Sequence, residues 1–118
     1  MIQMRFNSVS ASEDGDYLQV LFEEKVDDLE ADYFLVQRQF EFPDEGKVNI
    51  ECTNTRLCGH FAVTTAALSR QCLRVEMPST EWKIIEVQFA TDQEGYEALE
   101  RVLGRMFEVK LQHARQDA

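Results

Sequence analysis

The chain holds 118 residues (13.7 kDa) with 44% hydrophobic residues, among them eight Phe, three Tyr and Trp82, enough to bury a core without disulfide support. No Pro-, Gly- or Ser-rich linker divides it, so residues 1–118 read as a single domain with a polar tail from about 112. A formal net charge of −10 argues against binding to nucleic acid or an anionic membrane surface, and no apolar run approaches the ~20 residues that span a bilayer.

Cys52, Cys58 and Cys72 are odd in number and irregular in spacing, which fits a reducing compartment. The opening Met1-Ile2-Gln3-Met4-Arg5 lacks the continuous apolar core of a signal peptide, so a cytoplasmic location is expected.

Period-two alternation starts at Met4, Phe6 and Ser8 and recurs at Leu18, Val20 and Phe22. It returns at Phe34, Val36, Arg38 and Phe40, then at Val48, Ile50 and Cys52. Leu57, Gly59, Phe61 and Val63 form a further run, followed by Leu73, Val75 and Met77 and by Ile85, Val87 and Phe89. Each run predicts a strand with one apolar face. Glu13-Asp14-Gly15-Asp16, Pro43-Asp44-Glu45-Gly46 and Pro78-Ser79-Thr80 punctuate the runs as turns, and such short connections favour antiparallel neighbours. Only Glu23 to Asp32 is long enough to suggest a parallel crossover. The segment Phe61 to Ser69 leaves strand, turn and short helix all open, and the structure of residues 57–69 is not fixed by the sequence.

After Thr91-Asp92-Gln93-Glu94 the spacing changes to three and four, at Tyr96, Leu99, Val102, Leu103, Met106 and Phe107, which predicts an amphipathic helix. Thr91 with Glu94 has capping-box spacing, and Asp92 is an equal choice of N-cap. Gly104 inside the helix suggests close approach to a sheet. The expected fold is α+β, an antiparallel meander of six or seven strands packed by one C-terminal helix.

Nine of the 22 acidic residues fall between Ala11 and Asp32, where Lys25 is the one basic residue. Glu23, Glu24, Asp27, Asp28, Glu30 and Asp32 are therefore the candidate partner-binding residues, with Asp14 and Asp16 beside them, on a surface suited to a basic protein. No catalytic residue is assigned. Cys52, Cys58, His60 and Cys72 lack the pair spacing of a zinc site, and the acidic run lacks the glycine turn and closing glutamate of a calcium loop. No metal or cofactor is expected, and the chain is not expected to be an enzyme. Arg38, in phase with apolar neighbours, is expected to pack its stem over the sheet edge and pair with an acid such as Glu51 or Glu76, or else to contact a partner. Trp82 suits either an interface anchor or a cover for the open end of the core.

Asp32-Tyr33-Phe34-Leu35-Val36-Gln37-Arg38, Leu68-Ser69-Arg70-Gln71-Cys72-Leu73-Arg74-Val75 and Glu86-Val87-Gln88-Phe89 leading into Tyr96-Glu97-Ala98-Leu99 and Met106-Phe107 resemble the immunity protein 10 family. The similarity runs from about Tyr17 to Phe107, and Gly59 alone stands where that family carries a glycine-rich segment. The resemblance implies a small protein that neutralises a bacterial polymorphic toxin by stoichiometric binding and needs no active site. A second reading is a structural or interaction module, such as an effector chaperone or a homodimer joined through an exposed strand.

Overall fold

A computed structural model describes residues 1–24, 32–40, 47–78 and 80–113. The alternating runs become strands whose buried positions are the apolar ones. The strands are β1 (Ile2–Arg5), β2 (Ser8–Asp14), β3 (Tyr17–Glu23), β4 (Tyr33–Gln39), β5 (Lys47–Cys52), β6 (Gly59–Ala62), β7 (Thr65–Leu68), β8 (Cys72–Glu76), β9 (Ile84–Gln88) and β10 (Leu111–His113). Among the described residues one α-helix, α1 (Gln93–Phe107), lies between the last two strands. The fold is α+β, as the change of period predicts.

The strands form two five-stranded sheets, one ordered β2-β3-β4-β5-β6 and the other β1-β9-β8-β7-β10. The first is the expected antiparallel meander, with each strand paired to its sequence neighbour. The stretch from Glu23 to Asp32 joins antiparallel neighbours and is not a crossover. Parallel pairing occurs instead at both edges of the second sheet, where β1 meets β9 and β10 meets β7. The total exceeds the six or seven strands expected. Met4, Phe6 and Ser8 belong to one alternating run, yet the chain leaves β1 at Phe6, whose N–H bonds Gln88 O, and enters the other sheet at Asn7, whose N–H bonds Glu23 O. Phe61 to Ser69 resolves mainly into strand, as the end of β6 and the whole of β7, and a 3-10 turn at Thr55–Leu57 precedes β6.

Leu18, Val20 and Phe22 of β3, Phe34 and Val36 of β4, and Val48, Ile50 and Cys52 of β5 point into one core shared with Leu73, Val75, Ile85 and Val87 of the second sheet. Phe22, fully buried, joins the two sheets through its ring. Its centroid lies 6.2 Å from Phe6, 6.1 Å from Phe34 and 5.6 Å from Phe89, all in tilted geometry. Gly15, at φ +59°, supplies the left-handed backbone that the two-residue turn between β2 and β3 requires.

The apolar stripe of α1 buries Leu99, Val102, Leu103, Met106 and Phe107. Asp92 is the N-cap, its Oδ1 accepting the Gly95 N–H at 2.7 Å. The helix packs mainly on β2 and β3 and reaches β7 and β10, so it covers the end of the sandwich at the β2–β3 turn. A Cβ built at Gly104 would meet nothing within 4 Å, so close sheet contact is not the reason for that glycine.

Arg38 does pair with an acid, but with Glu108 and not with Glu51 or Glu76. Its phase with Phe34 and Val36 carries the side chain, 11% exposed, beneath the end of the helix, where Nη1 donates to Met106 O at 2.6 Å and reaches Glu108 Oε1 at 3.2 Å. A guanidinium there satisfies an unpaired terminal carbonyl and opposes the negative end of the helix dipole. The same group lies 4.4 Å from the centroid of Phe40.

Candidate functional site

The described acidic residues between Ala11 and Asp32 fall into two groups at opposite ends of β3, roughly 20 Å apart at ~3.3 Å per residue. At the helix end Glu13 is already engaged: Oε1 accepts from Arg101 Nε at 3.1 Å and Oε2 from Arg105 Nη1 at 2.8 Å. Arg105 also donates to Gly15 O, so the pair ties the turn to the helix. Hydrogen bonds from Arg105 and then Arg101 hold the Glu13 carboxyl below its ordinary pKa.

A depressed folded-state pKa means that this contribution to stability is present above the unfolded pKa and is lost as pH falls through the folded one. Glu13→Gln should therefore melt below the wild type at neutral pH, with the gap closing as the solution is acidified through the Glu13 titration. Paired melting curves from pH 7 downward test this, and a gap independent of pH would show that the two arginines do not depend on the Glu13 charge.

At the other end, Glu23, Glu24 and Asp32 form a neck between β3 and β4. Glu24 N–H donates to Asp32 O at 3.0 Å, Asn7 Nδ2 donates to Glu24 O at 3.1 Å, and Ser8 Oγ donates to Glu23 O at 3.2 Å. These bonds fix the backbone and leave the side chains uncommitted, since among the described residues none of the three carboxylates makes an ion pair. Glu24 and Asp32 are exposed and Glu23 is half-buried. Asp27, Asp28 and Glu30 lie outside the described residues. Asp14 and Asp16 are exposed at the helix end, away from the neck.

Asp32 also stands on the wall of a groove of about 360 Å³ that runs along the whole of β1. The opposite wall is Tyr33, Cys52, Thr53, Asn54 and Leu57. The strand is an edge of its sheet, paired to β9 alone among the described residues. A second hollow of about 250 Å³ continues past Ile2 and Leu57 to Arg56, Glu81 and Trp82. Trp82 packs edge-on against Phe61, with centroids 5.9 Å apart, and its buried Nε1 has no hydrogen-bond partner. No periodicity in the sequence marks this groove, because its walls come from residues about thirty to fifty positions apart.

Among the described residues no three His, Cys, Asp or Glu side chains converge to hold a metal ion. His60 is exposed on β6, opposite Asn49. Cys58 turns toward the backbone of Cys52, and Cys72 lies on the other sheet. His113 Nε2 lies 2.9 Å from Glu100 Oε2 on the face of the helix. The acidic neck and the groove adjoin each other at Asp32. Among the described residues no helix is long and apolar enough to cross a membrane. Comparison with protein-family models, with curated proteins and with solved structures returns no match for this chain.

Proposed function

We propose that this protein is a cytoplasmic immunity protein that binds a cognate bacterial toxin and neutralises it by stoichiometric occlusion, with the acidic neck against a basic surface of the toxin. The observation that carries the reading is the division of labour among the carboxylates. Glu13 is consumed by Arg101 and Arg105, whereas Glu23, Glu24 and Asp32 are held in place through their backbones with charges left unpaired among the described residues. Fixed, uncompensated charge beside a groove is suited to fast, salt-sensitive capture of an oppositely charged protein. The resemblance to the immunity protein 10 family supports the same conclusion, and inhibition by occlusion requires no catalytic residue.

The test is a pull-down of tagged protein from its native lysate at ~50 mM and ~500 mM salt, where screening shortens the reach of charge severalfold. One basic toxin-domain protein should be recovered at low salt and depleted at high salt. Recovery of secretion components at both salts would replace this reading with that of an effector chaperone. The exposed edge of β1 favours one further alternative, a homodimer joined along that strand; sedimentation of the purified protein as a dimer would support it.

A further inference from the structure

The corner between β5 and β6 brings two thiols together. Cys58 Sγ lies 3.4 Å from the N and 3.5 Å from the O of Cys52, which seats it over the backbone that carries the other thiol. Cys52 Sγ lies 3.1 Å from Asn54 O, and Cys58 Sγ lies 3.9 Å from the same oxygen. A disulfide requires Cα atoms about 4.4–6.8 Å apart and Cβ atoms near 3.8 Å. With the Cys58 sulfur against the backbone N and O of Cys52, and both sulfurs beside Asn54 O, the two thiols lie within reach of each other by side-chain rotation at the divergence of two adjacent strands. Cys72 has no such neighbour: it lies on β8 in the other sheet, opposite Gln88.

We propose that Cys52 and Cys58 are a reversible disulfide site, closed by a small-molecule disulfide such as oxidised glutathione and opened by thiols. The two cysteines have different roles. Cys58 is half-exposed and is the attacking group, whereas Cys52 is 4% exposed. Burial, followed by the nearness of Cys58, pushes the Cys52 thiol up to about 11. The Cys58 thiolate attacks one sulfur of oxidised glutathione, forming a mixed disulfide and expelling one glutathione thiolate. Cys52 then gives up its proton to solvent and attacks the Cys58 sulfur, and the second glutathione leaves as thiolate. The protein dithiol loses two electrons and two protons, and the glutathione disulfide gains them. The bond would close the loop that carries Asn54, the 3-10 turn and Leu57, so the oxidation state sets the rigidity of the wall facing β1.

The sequence makes the test direct, because Arg56 separates the two cysteines and Arg70 separates both from Cys72. The full chain, with Cys72→Ser to remove the third thiol, is incubated with oxidised glutathione, blocked with iodoacetamide and digested with trypsin without reduction. The expected products are a protein lighter by about 2 Da, for two hydrogens lost, and residues 48–56 linked to residues 57–70. Dithiothreitol should return the starting mass. In Cys52→Ser with Cys72→Ser, glutathione should remain attached to Cys58. Stable glutathione on Cys58 while Cys52 is present, or two alkylated cysteines after the treatment, would overturn the proposal. Folding of each variant is checked by its melting curve before oxidation.

Discussion

Phe22→Ala should lower the melting temperature by roughly 15–25 °C, from a loss of about 3–5 kcal/mol for a fully buried aromatic. Phe22 is the ring that Phe6, Phe34 and Phe89 all approach, and those partners come from both sheets. Removing it empties the place where the sheets meet, and the strands on either side are pinned by their ladders and cannot close the gap. A loss of that size is a large share of the roughly 5–15 kcal/mol that holds an ordinary domain together. Phe61→Ala serves as the comparison, because Phe61 is partly exposed and stacks mainly on Trp82. Thermal melts followed by circular dichroism decide the matter, and a Phe22→Ala protein melting within about 5 °C of wild type would mean that the sheets are joined elsewhere.

Charge reversal over the candidate acidic residues should have the largest effect on function. With Glu23, Glu24, Asp27, Asp28, Glu30 and Asp32 all changed to Lys, association with the toxin recovered by pull-down is expected to slow at least about tenfold at ~50 mM salt, and the difference from wild type should shrink at ~500 mM. The salt dependence separates loss of steering from general damage. Stability offers a second separation, since Glu23, Glu24 and Asp32 make no ion pair among the described residues and their reversal should leave the melt nearly unchanged. Glu13→Lys should do the opposite, lowering the melt and sparing association. Surface plasmon resonance on both proteins measures this directly. Affinity within about threefold of wild type after the sixfold reversal would place the interface elsewhere.

The local rules of alternation and helical spacing carried much of the fold. Leu18, Val20 and Phe22 alternate because one side of β3 is buried, and Leu99, Val102, Leu103 and Met106 recur at three and four because one side of α1 is buried. Pairing over long sequence separations left no comparable trace. Nothing around Ile2 and Ile85 announces that they are parallel neighbours, and the break at Phe6 and Asn7 lies inside an uninterrupted apolar run. Arg38 shows the same limit: its phase revealed that it points inward, and its partner, a helix carbonyl 68 positions away, depended on tertiary packing. Charge count located the acidic stretch, but it did not separate Glu13, which binds two arginines, from Glu23, Glu24 and Asp32, which do not. The groove was beyond reach for the same reason as the parallel pairs.

The different wiring of the two sheets has a kinetic consequence. The meander from β2 to β6 pairs each strand with the one made just before it, so it can assemble as the chain emerges during synthesis. The other sheet cannot. β1 is made first, yet it waits for β9, since Ile2 lies opposite Ile85, and β7 has no second neighbour until Leu111 reaches Ala66. Until then Ile2 and Met4 lack the strand they pair with, and closing that long loop carries the entropy cost that slows the folding of non-local sheets.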